Sequence, residues 1–245
     1  MRINLKAFVL KQSFNPTGIG IFFNPFYFAR VGLSKAMLRN ASMLSGCLLD
    51  IGCGVKPYKD FFDVDEYKGL EIATEQSYKR AIADYFYDGN SFPLESSSFD
   101  SALCNQVLEH VFNPDEFLTE IHRVLKKDGK LLLTVPFVWD EHEQPNDYAR
   151  YSSFGLKSLL EKNGFLVVKH EKLGADASVL FQLLNAYLYK VSLSWPKYLR
   201  LFFIELILDL TAFRSAKYCS FVFPPTFALL IEHLFCPMQS ISFLS

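Results

Sequence analysis

Short apolar runs alternate with amphipathic stretches through the middle of the chain. Six apolar runs predict β-strands, at residues 47–51, 67–71, 83–87, 99–104, 130–136 and 165–170. The clearest helix is predicted at residues 114–126, where five apolar residues share one face and Asp128-Gly129 ends the pattern, and another follows Ser152. Strands that alternate with helices are typical of parallel βαβ units, so we expect an α/β domain whose mostly parallel sheet has helices on both faces.

The two ends of the chain differ from this alternating middle. Residues 1–45 are rich in aromatic residues and contain the turn signals Asn15-Pro16 and Asn24-Pro25, which predict an N-terminal helical flank or lid. Residues 46–174 carry the alternating pattern and form the predicted core. Residues 175–245 contain long apolar, aromatic segments, which predict an apolar helical elaboration packed on the core within the same domain.

Composition and charge narrow the classes of function. The 245 residues are 50% hydrophobic and carry a formal net charge of −1, which argues for one folded domain and against a nucleic-acid partner. The five cysteines are scattered and show no metal-ligand spacing. They predict a cytoplasmic protein without a metal site.

The apolar C-terminal segments bear on membrane contact. Charged residues interrupt residues 199–213 and Pro224-Pro225 break the next stretch, so no transmembrane span is predicted. We also expect no signal peptide, because Asn4 and Lys6 break the first apolar stretch. Peripheral contact with the inner face of the membrane, or with a lipid-linked substrate, stays open because so much apolar surface must be covered.

The main chemical signal is a glycine turn, Asp50-Ile51-Gly52-Cys53-Gly54, directly after the first predicted strand. Glycines in such a turn let the backbone approach a ligand closely. A dinucleotide site of the pattern GxGxxG is disfavoured because Pro57 replaces the third glycine and removes an N–H group. A nucleoside without phosphates fits better. Glu71, at the end of the second strand, is a candidate to accept hydrogen bonds from ribose hydroxyls.

Several linked segments resemble a known family. Residues 48–54, 88–94, Phe99-Asp100 and 107–111 look like the class I S-adenosylmethionine (SAM) dependent methyltransferases of the type 11 group, in order and in spacing. The resemblance covers roughly residues 42–170. It implies a Rossmann-like, doubly wound fold, SAM as the cofactor and methyl transfer as the activity.

The resemblance also implies roles for single residues. Asp50, Gly52 and Gly54 would hold the methionine end of SAM, and Glu71 the ribose. The remaining cofactor residues it implies are Asp88 and Gly89 beside the adenine, and Asn105 and Gln106 near the sulfonium. His110, at the start of the following helix, is expected to be a packing residue.

The loop after the fifth strand is the predicted acceptor side. It is dense in polar and aromatic groups and follows a strand at the edge of the sheet where α/β folds bind ligands. His142 is the first candidate for a general base because its ordinary pKa is about 6.5, with Asp147 or Glu141 in its place. The residues expected to orient the substrate are Tyr148, Arg150 and Tyr151.

Three functions follow from these signals. The favoured one is methyl transfer from SAM to a small-molecule, glycan or lipid-linked acceptor, since the loop resembles one in bacterial methyltransferases associated with cell-surface glycan assembly. The alternatives are a SAM-binding partner protein without catalysis, and a nucleotide-sugar or dinucleotide enzyme on a similar fold. Sheets of the resembled family end in two more antiparallel strands, but only weak candidates follow Pro224, so the sequence leaves open whether the last strand is present.

Overall fold

Seven strands form one sheet in the computed structural model, which describes residues 5–22, 24–80, 82–174, 178–194, 196 and 239–244. In chain order the strands are β1 (Cys47–Ile51), β2 (Glu66–Ile72), β3 (Tyr85–Tyr87), β4 (Phe99–Asn105), β5 (Leu125–Pro136), β6 (Val167–Leu173) and β7 (Gln239–Leu244). Their spatial order is β3-β2-β1-β4-β5-β7-β6. The five strands β1 to β5 pair in parallel, and β7 runs antiparallel to β5. The predicted mostly parallel α/β fold is confirmed.

The described helices are α1 (Leu5–Phe14), α2 (Tyr27–Asn40), α3 (Glu75–Arg80), α4 (Pro114–Val124), α5 (Ser153–Lys162) and α6 (Ser178–Ser192). Short 3₁₀ turns lie at Gly18–Phe22, Ala41–Met43, Lys59–Phe61 and Leu108–His110. Ser152 caps α5, because its side chain accepts a hydrogen bond from the backbone N–H of Gly155. The apolar stripes of α4 and α5 pack with β1, β4 and β5 in one core cluster.

The central strands form where apolar residues follow one another without alternation, because both faces of a parallel sheet are covered. Leu48, Leu49 and Ile51 of β1 are fully buried, as are Leu131 to Leu133 of β5. The observed bounds differ from the predicted ones mainly at β5. Helix α4 ends at Val124 and not at Lys126, and β5 begins at once, with Asp128 in a left-handed conformation.

The last strand of the sheet, which the sequence left open, is present. Residues 239–244 form β7, whose pairing with β5 runs from Gln239 opposite Pro136 to Leu244 opposite Leu131. These six residues are therefore a strand and no part of a helical elaboration. The predicted apolar helices at residues 199–213, and the region around Pro224, lie outside the described residues.

Two compact units divide the described residues. One contains those within Met1–Ser34 and Leu173–Met238, and the other those within Lys35–Lys172 and Gln239–Ser245. In the first unit the buried side chain of Gln182 on α6 accepts a hydrogen bond from the N–H of Ala29 and donates one to the carbonyl of Pro25. In the part of the chain that the structure describes, none of the helices has the length and apolar character needed to cross a bilayer.

Candidate functional site

A cavity of about 590 Å³ opens at the carboxyl ends of β1, β2 and β3 within the second unit. One wall comes from the turns after these strands, a second from the segment after β4, and a third from the loop after β5. Predicted residues that line the cavity are Gly52, Gly54, Glu71, Asp88, Gly89, Gln106 and Tyr148. Other lining residues include Ile72, Tyr87, His110, Phe112, Glu143 and Asn146. The volume is in the usual range for cofactor sites.

The glycine turn shapes the floor of this cavity. Gly52 has φ +68°, and its N–H donates to the carbonyl of Leu70 at 2.8 Å. A Cβ on Gly52 would lie 2.4 Å from Cγ2 of Val107, so the turn packs too tightly for any side chain there. Gly54 has φ +50°, and a Cβ there would meet no atom within 4 Å. Glycine is thus required at Gly52 by packing and at Gly54 by backbone conformation, with space left for a ligand.

Glu71 joins the end of β2 to the glycine turn. Its Oε2 accepts a hydrogen bond from the N–H of Gly54 at 2.8 Å, while Oε1 is 3.3 Å from the N–H of Ile72. The carboxylate therefore lies at the cavity wall with acceptor capacity left over, since each carboxylate oxygen can accept more than one bond. This is the position in which a ribose diol could be held.

The turn after β3 places the third predicted acid. Asp88 accepts hydrogen bonds at Oδ1 from the N–H groups of Asn90 and Ser91, which lower the pKa of this exposed carboxyl. Gly89 next to it has φ +96°. Asp88 therefore remains ionised around neutral pH at the wall of the cavity.

Asp50 and Asn105 do not border the cavity. The buried Asp50 accepts a hydrogen bond from the Tyr67 hydroxyl at 2.7 Å, and burial raises its pKa to about 7. Asn105 accepts one from the Thr134 hydroxyl at 2.8 Å, and the same hydroxyl oxygen contacts the side-chain nitrogen of Gln106 at 3.1 Å. The geometry makes these two residues supports of the turns, and their predicted direct contact with the cofactor stays a prediction.

The loop after β5 is organised around Asp147, whose side chain is 4% exposed. Arg150 donates to both carboxylate oxygens at 2.5 and 2.7 Å, and the N–H of His142 donates to Oδ2 at 2.9 Å. Chiefly because of Arg150, the pKa of Asp147 lies well below its usual range. Burial lowers the pKa of His142, so this imidazole is neutral at neutral pH.

The same loop brings some predicted acceptor residues to the cavity and not others. Tyr148 lines it, with its ring 5.3 Å from that of Phe112. Arg150 is engaged with Asp147, and Tyr151 packs against the core cluster. Neither Arg150 nor Tyr151 borders the cavity, so their predicted contact with a substrate stays a prediction.

His110 lies closer to the cavity than sequence reasoning suggests. It lines the cavity, its Nδ1 is 2.6 Å from the carbonyl oxygen of Asn146, and its ring is 4.8 Å from that of His142. The loop reaches this position because the N–H of Tyr148 donates to the carbonyl of Glu109 at 2.8 Å. The sequence signal that could have identified His110 as a cavity residue is the pair Glu109-His110 shortly after a strand of the parallel sheet.

Comparison with known proteins agrees with this geometry. A family model described as a methyltransferase domain matches residues 49–133. An uncharacterized protein of Methanocaldococcus jannaschii is 31% identical over 148 residues, which are 55% of this chain and 71% of that protein. An uncharacterized 37.1 kDa protein in a transposon of Streptomyces fradiae is 32% identical over 152 residues, covering 53% of this chain and 42% of that protein.

Among solved structures, a SAM-dependent methyltransferase from Archaeoglobus fulgidus has the same fold. It superposes with a TM-score of 0.56 at 15% identity, over 97% of this chain and 98% of that one. The strand order of this chain is therefore that of a SAM-dependent methyltransferase fold.

Proposed function

Because the chain belongs to the class I SAM-dependent methyltransferases, we propose that it transfers the methyl group of SAM to a small-molecule, glycan or lipid-linked acceptor. One observation carries the acceptor side of this proposal. The cavity that contains the glycine turn also contains Glu143, Asn146 and Tyr148 from the loop after β5. Cofactor and acceptor can therefore meet in one cavity.

The residues at the cavity fit the cofactor. In the proposal the glycine turn at Gly52 and Gly54 accommodates the methionine end, Glu71 accepts hydrogen bonds from the ribose, and Asp88 and Gly89 flank the adenine. Gln106 covers the cofactor near its sulfonium. The fit rests on the space above Gly54, on the spare acceptor capacity of Glu71 and on the ionised state of Asp88.

Bound SAM supplies a methyl group on a positively charged sulfur, which is a good leaving group. The protein has mainly to hold the acceptor atom near the methyl group, opposite the sulfur. Such positioning removes most of the entropic barrier of a two-molecule encounter. Tyr148 and Asn146 lie at the cavity wall, where a ring face and polar atoms can orient an acceptor.

A hydroxyl acceptor also has to lose a proton. We assign this role to His142 with Asp147, since Nδ1 of His142 is 3.2 Å from Oδ2 of Asp147 and its lowered pKa keeps the ring neutral. Asp147 fixes the ring because Arg150 holds it in place. His142 does not itself line the cavity; its ring is 4.8 Å from that of His110, which does.

The experiment is a cofactor titration followed by an acceptor screen. Calorimetry with SAM and with its demethylated product should show binding of both, and labelled SAM should then transfer its methyl group to a sugar, lipid-linked glycan or small hydroxyl compound. A folded protein that binds neither ligand would contradict the proposal. Cofactor binding with no transfer to any acceptor class would favour a SAM-binding partner protein.

Membrane contact is the remaining part of the proposal. Leu180, Leu184, Tyr187 and Val191 lie along one face of α6 and are 42–64% exposed. This stripe supports peripheral association of a cytoplasmic protein with the inner face of a membrane, where a lipid-linked acceptor would lie. In a flotation assay with anionic vesicles, the wild type should be found in the vesicle fraction and Leu184→Asp should remain in the bottom fraction. Equal flotation of both proteins would contradict the membrane contact.

A further inference from the structure

Three side chains with metal-binding atoms meet beside the cavity. Glu109 and His110 belong to the short 3₁₀ turn after β4, and His142 belongs to the loop after β5. One carboxylate oxygen and one nitrogen from each histidine all lie within 4.8 Å of one another. The fold thus brings together residues that are 32 positions apart in the chain.

Glu109 is the unusual member of this cluster. It is fully buried, and neither oxygen of its carboxylate has a hydrogen-bond partner among the described residues. A buried carboxylate without a partner is costly to the fold, and a bound cation would offset that cost by neutralising its charge.

The two histidines are held as metal-ligating histidines are. Nδ1 of His110 is 2.6 Å from the carbonyl oxygen of Asn146, and Nδ1 of His142 is 3.2 Å from Oδ2 of Asp147. The oxygen next to His110 favours the proton on Nδ1 and leaves the lone pair on Nε2. At His142 the Asp147 carboxylate and the carbonyl of Asp140, 3.3 Å from Nδ1, favour the same tautomer over the weaker 3.4 Å contact with Arg150. Ligating imidazoles generally donate their second nitrogen to a carboxylate or a backbone carbonyl in this manner.

We propose that Glu109, His110 and His142 bind a divalent transition-metal ion at the edge of the cavity. Two imidazoles and one carboxylate form a ligand set that suits Zn²⁺ or Fe²⁺ better than Mg²⁺. Ligand atoms around a tetrahedral zinc ion are roughly 3.4 Å apart, so the cluster has to contract by roughly 1–1.5 Å. Side-chain rotations of Glu109 and His110, whose Oε1 and Nε2 are now 3.9 Å apart, can provide this. The site departs from the expectation of no metal, which considered the cysteines alone.

The ion would have a position open toward the acceptor, because His110 lines the cavity and the protein supplies three ligands. This step rests on the proposed methyl transfer. An acceptor hydroxyl on the ion would release its proton to water at lower pH than in solution. Its oxygen electron pair forms the bond to the methyl carbon, and the pair of the breaking carbon–sulfur bond stays on sulfur. In this arrangement His142 is a metal ligand. The ion then activates the hydroxyl, which is the role that the proposed function gives to His142 in the absence of a metal.

Titration of the chelator-treated, full-length protein with Zn²⁺ tests the site. The wild type should take up one equivalent, and Glu109→Gln and His142→Ala should each weaken binding at least tenfold. His122→Ala, an exposed histidine of α4 outside the cluster, is the matched control and should bind as the wild type does. With Co²⁺ in place of Zn²⁺, visible absorption bands should appear in the wild type and be lost in His142→Ala.

SAM is titrated into the same samples to separate the two proposals. Glu109→Gln keeps the size of the side chain and should bind SAM with unchanged affinity, which shows that the variant is folded. A wild type that binds SAM but takes up no stoichiometric Zn²⁺, or a folded Glu109→Gln that binds Zn²⁺ as tightly as the wild type, would overturn the metal site. Zn²⁺ uptake without SAM binding would instead count against the proposed function and leave the metal site standing.

Discussion

At the scale of single residues, the two glycines of the turn after β1 differ in what they tolerate. A Cβ on Gly52 would clash with Val107 at 2.4 Å, whereas one on Gly54 would meet no protein atom within 4 Å. Both have positive φ, which costs any other residue about 1–2 kcal/mol. The first position is limited by packing within the protein, and the second by backbone conformation and by the ligand.

Alanine substitutions at Gly52 and Gly54 should distinguish an effect on the stability of the protein from an effect on SAM binding. We expect Gly54→Ala to lower the melting temperature by only roughly 2–6 °C and to weaken SAM binding at least tenfold, because the methyl group occupies cavity space. Gly52→Ala should lower the melting temperature further, since Val107 has to move. Differential scanning calorimetry and SAM titration of both variants provide the measurement, and equal melting temperatures would contradict the packing argument.

Asp50 makes stability depend on pH. Its pKa is raised from 3.8 to about 7 by burial, so the folded state keeps it neutral where the unfolded state ionises it. The stability from neutral Asp50 is fully present below pH 4 and is lost progressively as pH rises to about 7. The shift corresponds to about 4 kcal/mol.

Asp50→Asn removes this ionisation while keeping an acceptor for the Tyr67 hydroxyl. The free energy of unfolding of the variant minus that of the wild type should therefore increase from pH 4 to pH 7 and then level off. Urea denaturation at four pH values measures this difference. A difference that stays constant over this range would show that Asp50 is ionised in the folded protein.

At the scale of elements, helix α4 holds the turn that follows Asp88 and Gly89. Arg123 donates to the carbonyl groups of Leu94 and Phe92 at 2.8 and 3.1 Å, and it pairs with Glu120, which accepts from the N–H of Phe92. A single ion pair on one helix thus fixes the backbone that follows Asp88 and Gly89 at the cavity.

Replacing Arg123 with Met should therefore affect both the helix and the site. We expect a loss of about 1–3 kcal/mol in the free energy of unfolding, because charged hydrogen bonds to backbone carbonyls are lost, and a several-fold weaker SAM affinity. Lys126→Met is the matched control, since its partner Asp100 is at the opposite end of β4 from the cavity. SAM titration measures the affinity of both variants, and an equal SAM affinity in the two would contradict the argument.

At the scale of the whole molecule, β7 completes the sheet by filling the space between β5 and β6. Its backbone pairs with residues 131–136 of β5, so β5 has no open edge. Sheets that lose such a strand expose unpaired backbone groups and tend to associate.

A proline in β7 should show how much the strand contributes. Ser242→Pro removes a backbone N–H from a strand with neighbours on both sides and should cost about 3 kcal/mol, or roughly 6–12 °C in melting temperature. Ser242→Ala keeps the N–H and should melt near the wild type. A proline variant as stable as the alanine variant would mean that β7 contributes little to the fold.

The sequence by itself determined the parallel core, the glycine turn and the cofactor class. Buried parallel strands appear as continuous apolar runs, so β1, β4 and α5 were predicted within a residue or two. The turn at Gly52 and Gly54 could be recognised because two glycines directly follow an apolar strand, although the packing of Gly52 against Val107 depends on the fold. Helix α4 and the start of β5 were less accurate, because Asp128 takes a left-handed conformation within the strand and does not end the helix.

Tertiary structure alone decided the last strand and the neighbours of the acceptor loop. Strand β7 pairs with residues more than 100 positions away, and six residues with a weak local preference become a strand only when two edges flank them. Likewise, Glu109 and His142 meet because the backbone N–H of Tyr148 bonds to the carbonyl of Glu109. Burial, which depends on all surrounding elements, encloses Asp50 and leaves the carboxylate of Glu109 without a hydrogen-bond partner among the described residues.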